Sequence, residues 1–133
     1  KASTDFRIMA RAISREPTGP VVRADDDAWE TVVRWVAAGL FIAEESGIDA
    51  TSAASGRLPA FTPAWGVTNE QEFTLVADAL GVAPGWLLRS VSAVGNYGEI
   101  YERNLGKGST LGLERGPNRL WQDGGLMYAP PLK

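Results

Sequence analysis

The chain has 133 residues, enough for one domain with its own core, and its 44% hydrophobic and 22% charged content is that of an ordinary globular protein. A net charge of −3 argues against a nucleic-acid or anionic-membrane partner, because both demand a basic surface. Cysteine and histidine are absent, which removes disulfides, thiolate chemistry, the commonest zinc ligand and any Ser-His-Asp or Cys-His arrangement.

Phe6-Arg7-Ile8-Met9-Ala10 alternates loosely and reads as a short strand. Glu16-Pro17-Thr18-Gly19-Pro20 punctuates the chain, and Val21-Val22 reads as a second strand. Pro20 has no N–H to give to a ladder, so residues 16–23 are expected to be extended along the edge of a sheet. Asp25-Asp26-Asp27 then opens the longest predicted helix, over 25–46. Trp29, Val32, Val33, Val36, Leu40 and Ala43 recur at helical spacing and predict a buried face. Trp35, Ala38 and Ile42 form a second stripe, as in a helix held between two layers. Gly47 suits the stop, although Glu44 and Glu45 lie where the helix dipole favours cations. The longest apolar run, 35–43, is about half of the roughly 20 residues a bilayer span needs.

Residues 48–56 show no clear period, and 58–66 read as a loop around Pro59 and Pro63. Thr68-Asn69-Glu70-Gln71 has the spacing of a capping box for a helix to about Leu80, with Phe73, Val76, Ala77 and Leu80 inward and Gly81 as the stop. After the Pro84-Gly85 turn, Trp86, Leu87, Val91 and Val94 predict a short helix ending at Gly95. Asn96 followed three residues later by Glu99 predicts another capped helix, running through Arg103. Residues 106–109 read as a loop, and 118–122 as a short helical turn. The tail reads as a glycine turn at Gly124 followed by an extended Ala129-Pro130-Pro131.

Motifs for chemistry are sparse. The triple aspartate lacks the glycine and distal glutamate of an EF-hand and reads as a helix-start charge cluster. Gly106-Lys107-Gly108-Ser109-Thr110 lacks the spacing of a phosphate loop. Glu99, Glu102 and Glu114 could supply an acid–base pair, but capping and solvation account for Glu99 and Glu102 more simply. Trp29 and Trp35 lie on apolar stripes and are expected in the core, whereas Trp65, Trp86 and Trp121 lie near loops. No cofactor and no metal are expected.

The run Val94-Gly95-Asn96-Tyr97-Gly98-Glu99-Ile100-Tyr101-Glu102-Arg103-Asn104 and the closing Gly124-Gly125-Leu126-Met127-Tyr128-Ala129-Pro130-Pro131 resemble one family. They are similar to the C-terminal region of periplasmic binding proteins of the general L-amino-acid ABC transporter type, solute-binding family 3 of the type II periplasmic binding proteins. Glu16-Pro17-Thr18-Gly19-Pro20-Val21-Val22-Arg23 looks like that family's second hinge crossing, and 25–46 like its first helix after the return to lobe one. The likeness spans about residues 6–133, is weakest over 57–86, and departs from the pattern at Thr18 and Pro117.

The resemblance implies an α/β parent of two lobes. This segment would be mostly α-helical with one or two strands near its N-terminus. Residues 1–23 would be the end of lobe two and the second hinge strand, with Glu16, Pro17, Gly19 and Pro20 as hinge residues. Residues 24–133 would be the C-terminal helical part of lobe one. The implied role is non-enzymatic: capture of free L-amino acids in the periplasm and delivery to the membrane subunits of an ABC permease, with a signal peptide expected upstream of this chain. The main ligand-binding determinants are expected upstream too. Arg23 and Asp5 do not match the family's charge partners for the ligand; Tyr97 and Tyr128 are the candidates here because the two family-like runs contain them, with packing as the simpler role of each. Helices without their sheet are expected to self-associate or to need the N-terminal portion. The rival reading is an independent small helical interaction domain or a carboxylate-based enzyme.

Overall fold

Asp26 sets the start of the first helix. In the computed structural model, which describes residues 13–14, 18–56 and 70–131, its side chain accepts the Trp29 N–H at 2.9 Å. Helix α1, Asp27–Glu45, follows with Asp27 and Glu30 in its first turn, where the helix dipole favours negative charge. It ends in a Schellman motif: the Ile48 N–H donates to the Ala43 carbonyl at 2.8 Å and the Gly47 N–H to Glu44 at 3.0 Å. Gly47 sits at φ 68°, which a side chain would resist. Ile48, just beyond the glycine, is fully buried and anchors the turn.

Helix α2, Ala50–Ala54, starts at once. Asp49 accepts the Ser52 N–H at 2.7 Å while the Ser52 hydroxyl accepts the Asp49 N–H at 2.9 Å. The Ser52 N–H holds the Asp49 carboxyl below the ordinary aspartate value. Helix α3, Glu70–Ala79, repeats the ending of α1, with Val82 donating to Ala77 and Gly81 to Asp78, both at 3.0 Å. Thr68 and Asn69, expected to cap it, lie outside the described residues. Helix α4, Trp86–Val94, and helix α5, Tyr97–Asn104, are separated by only Gly95 and Asn96. Two 3-10 turns follow, Gly116–Asn118 and Trp121–Asp123, linked through an isolated parallel bridge between Leu120 and Met127.

The core gathers around α4. Trp86, Leu87 and Val91 meet Ile42 and Ala43 of α1, Ile48, Ala53 of α2 and Ala77 of α3. Helices α1 and α2 both pack on α4, and α5 packs on α1. The α1–α4 crossing is close at Gly39. A Cβ there would stand 2.5 Å from Leu87 Cδ1 and 3.3 Å from the Trp86 ring.

Several expectations are corrected. The deeply buried part of α1 is Ala38, Gly39, Ile42 and Ala43, while Trp35, Val36 and Leu40 pack only partly against the core. Trp29, expected inward, is 54% exposed. The cause is length: α4 has nine residues against the 19 of α1, so it spans about half of its neighbour at 1.5 Å per residue. Trp86 is a core residue. Helix α2 had no periodic signal because five residues are less than two turns. The helical turn expected over 118–122 is two 3-10 turns broken at Leu120.

No strand is present among the described residues. Val21 is 95% exposed and 18–23 follow no regular structure, since a strand exists only with a ladder partner. The expected strand at 6–10 lies outside the described residues.

Gly39→Ala is expected to cost about 1–3 kcal/mol by overpacking, against Glu30→Gln, which should change stability by less than about 0.5 kcal/mol. Urea midpoints of the two variants check this, and Gly39→Ala should be clearly the lower.

Candidate functional site

The start of α5 is a polar junction inside an apolar body. Asn96 is buried. Its side-chain oxygen accepts the Glu99 N–H at 2.9 Å, and its Nδ2 donates to the Ile48 carbonyl at 2.8 Å. Glu99 Oε2 accepts two backbone N–H groups, from Asn96 at 2.9 Å and from Ala50 at 3.0 Å. One capping box thus binds α5 to the α1–α2 turn. The sequence signature Asn96-x-x-Glu99 is legible as a cap; its second duty towards Ile48 and Ala50 is not.

A second polar centre lies beside it. Arg115 grips Glu44 with both terminal nitrogens: Nη1 pairs closely with Oε1, and Nη2 meets Oε2 at 3.1 Å. Nη2 also donates to the Asn118 carbonyl at 2.8 Å. The two side chains are only 16% and 14% exposed. Arg115 Nε has no hydrogen-bond partner among the described residues. The guanidinium instead lies over the rings of Tyr97 and Tyr101, 5.4 Å and 5.6 Å from their centres. The hydrogen bond that Arg115 donates to Glu44 raises the Arg115 pKa above its ordinary value. Gly98 leaves room for it: a Cβ there would stand 2.7 Å from Glu44 Oε1. This pair resolves the misplaced charge at the end of α1, because an arginine 71 positions away supplies the missing cation.

Tyr97, one of the two ligand candidates, is held in this stack. Its ring centre lies 4.4 Å from that of Phe41, and its hydroxyl reaches Asn118 Oδ1 at 3.4 Å. Burial pushes its pKa up. Tyr101 donates to the Glu114 carbonyl at 3.1 Å, tying the following arm to α5.

The C-terminal arm closes on itself. Trp121 N–H donates to Met127 at 2.8 Å, Gly125 N–H to Leu120 at 2.9 Å, and Leu126 N–H to Pro117 at 2.8 Å. A Cβ at Gly125 would collide with the Arg119 carbonyl, so this position of the glycine pair admits nothing larger. Ala129 N–H then donates to Glu45 Oε1 at 3.2 Å. Between arm and helix lies an open cleft of about 500 Å³, lined by Glu45, Trp121, Gln122, Tyr128 and Ala129. Tyr128, the second candidate, is 68% exposed at this cleft, and Tyr97 is not among its lining residues. The two candidates are therefore not brought together.

Of the hinge candidates, Gly19 and Pro20 are exposed, while Glu16 and Pro17 lie outside the described residues. Two of the carboxylates weighed for acid–base work are engaged structurally, Glu99 by the Asn96 and Ala50 N–H groups and Glu102 by the Lys107 N–H at 3.0 Å, while Glu114 lends its main-chain carbonyl to Tyr101. No group of three acidic residues fit for a metal ion is found among the described residues. No helix among them is long and apolar enough to cross a membrane.

No protein-family model matches the chain. Individual proteins do. A general L-amino-acid-binding periplasmic protein of Rhizobium johnstonii is 40% identical over 126 residues, covering 95% of this chain and 37% of the relative. A glutamate/glutamine/aspartate/asparagine-binding protein of Rhodobacter capsulatus is 38% identical, over 98% of this chain and 38% of its own length. A putative amino-acid ABC transporter-binding protein of Escherichia coli is 39% identical, over 97% and 38%. This chain is homologous to the C-terminal region of periplasmic amino-acid-binding proteins of ABC transporters. It spans somewhat over a third of the length of these binding proteins. A solved ABC-transporter periplasmic binding protein from Brucella ovis, with glutathione bound, superimposes with a TM-score of 0.69 at 35% identity. That match covers 84% of this chain and 35% of the solved one. The relatives are transport proteins rather than enzymes.

Glu44→Gln leaves Arg115 without a counter-charge in a confined site and is expected to cost about 3 kcal/mol. Asn96→Ala removes a cap and strips the Ile48 carbonyl of its donor, at about 2 kcal/mol. Guanidinium unfolding of both variants checks these values; a loss below about 0.5 kcal/mol in either would contradict the role given to that residue.

Proposed function

We propose that this chain is the C-terminal segment of a periplasmic solute-binding protein that captures L-amino acids and delivers them to an ABC permease. The observation that carries the reading is the run of relatives at 38–40% identity, matched over 95–98% of this chain, whose names are those of amino-acid-binding or amino-acid ABC transporter-binding proteins.

In this reading the parent is an α/β protein of two lobes. Residues 1–23 form the end of lobe two and the second hinge strand, with Glu16, Pro17, Gly19 and Pro20 at the hinge. Residues 24–133 form the C-terminal helical part of lobe one. The stretch at 18–23, without a ladder partner among the described residues, supports a strand whose partners lie elsewhere, and the half-open outer stripe of α1 supports a sheet beneath it. Uptake proceeds by hinge closure around the ligand, driven by contacts made only in the closed state. Of the two tyrosines, Tyr97 acts through packing, and Tyr128, open at the cleft beside Glu45, takes no part in amino-acid capture.

No ligand-charge partners are assigned within these residues, and burying a zwitterion without them costs several kcal/mol. Calorimetric titration with a panel of L-amino acids tests the proposal. A longer protein that contains this chain together with both lobes should bind at least one amino acid tightly, and the 133 residues alone should bind none. A micromolar dissociation constant for the 133 residues alone, or silence from the longer protein, would refute it.

A further inference from the structure

Glu45 is a carboxylate in the wrong electrostatic place. It is the last residue of α1, where the helix carries partial negative charge. Its neighbour Glu44 is neutralised by Arg115. Glu45 is in no ion pair among the described residues. One of its oxygens, Oε1, accepts the Ala129 N–H, and no donor among the described residues reaches the other.

That carboxylate lines the open cleft described above. Two of the other lining residues are aromatic and unusually bare: Trp121 is 58% exposed and Tyr128 is 68% exposed. Among the described residues neither lysine nor arginine lines the cleft. Aromatic faces attract cations through their quadrupole, most strongly at tryptophan. Carboxylate, helix C-terminus and two aromatic rings therefore all favour positive charge in one cavity, and no described lining residue opposes it. A volume of about 500 Å³ lies within the range of small-molecule sites.

We infer that the cleft between Glu45, Trp121 and Tyr128 binds a small organic cation, a guanidinium or alkylammonium compound. The site is separate from the amino-acid capture proposed above and does not depend on it. It discriminates against amino acids, because their α-carboxylate would face Glu45 with no cation to meet it. Agmatine, which is arginine without its carboxylate, is the fitting probe.

Titration of the full 133-residue chain with agmatine, followed by the Trp121 indole N–H and the Tyr128 amide in nitrogen-15 NMR spectra, tests the site. Saturable shifts confined to the cleft are expected, with a dissociation constant in the millimolar range. Binding should weaken at least about fivefold in Glu45→Gln, which keeps an oxygen for the Ala129 N–H, and by a similar factor in Trp121→Leu, at an exposed position. Arginine should bind at least about fivefold more weakly than agmatine, and added salt should weaken both. The inference is overturned by the absence of saturable shifts up to about 100 mM agmatine, or by undiminished affinity in both variants. Equal affinity for arginine and agmatine would overturn it as well.

Discussion

At the start of α5 a buried amide and a half-buried carboxylate lie against the helical core, and the surrounding backbone supplies their partners. Buried polar groups in native proteins are almost always paired, because an orphan costs about 1–3 kcal/mol. Asn96 meets this demand with the Glu99 N–H and the Ile48 carbonyl; Glu99 meets it with the N–H groups of Asn96 and Ala50. The link 95–96 and the turn 48–50 must therefore arrive together. Once they do, the C-terminus of α1 is fixed against the N-terminus of α5, Phe41 lies on Tyr97, and Glu44 faces Gly98. That placement creates the slot that Arg115 fills. The ion pair, the aromatic stack and the attachment of the arm all follow from one satisfied cap.

Local chemistry made much of this legible in the sequence. The starts at Asp26 and Asn96 and the stops at Gly47, Gly81 and Gly95 depend on residues within a few positions of each helix end. The extent of α1 and the inward positions Leu87 and Val91 of α4 followed from period, whereas Val94 of the same set is 44% exposed. What stayed hidden depended on distance along the chain. Glu44 read as an anomaly because its partner lies 71 residues away, yet the anomaly was itself the signal that a remote cation was required. Trp29 was misplaced because period tells which face is apolar but not how far the neighbouring helix extends. Helix α2 was missed for its brevity, although Asp49 and Ser52 hold the spacing of its cap. The cleft between Glu45, Trp121 and Tyr128 was not legible at all, since it exists only after the arm folds back onto α1.

The two stretches that carry the family resemblance have architectural explanations. In one, Asn96, Gly98 and Glu99 are fixed by the cap and by the close passage of Glu44. In the other, Gly125 is fixed by the Arg119 carbonyl. Such residues are fixed by the fold, whatever the chain binds.

The attachment of the arm has a kinetic side. Its longest-range ties to the helical body, Arg115 to Glu44 and Ala129 to Glu45, close loops of 71 and 84 residues, whereas α5 is capped by near neighbours. Closing long loops defers contacts to the later stages of folding. These ties are therefore expected to form late, with low φ-values at Arg115 and Ala129. Strengthening them would slow unfolding while leaving the folding rate nearly untouched. The C-terminal arm is therefore the clasp that sets how long the folded chain survives, rather than how quickly it forms.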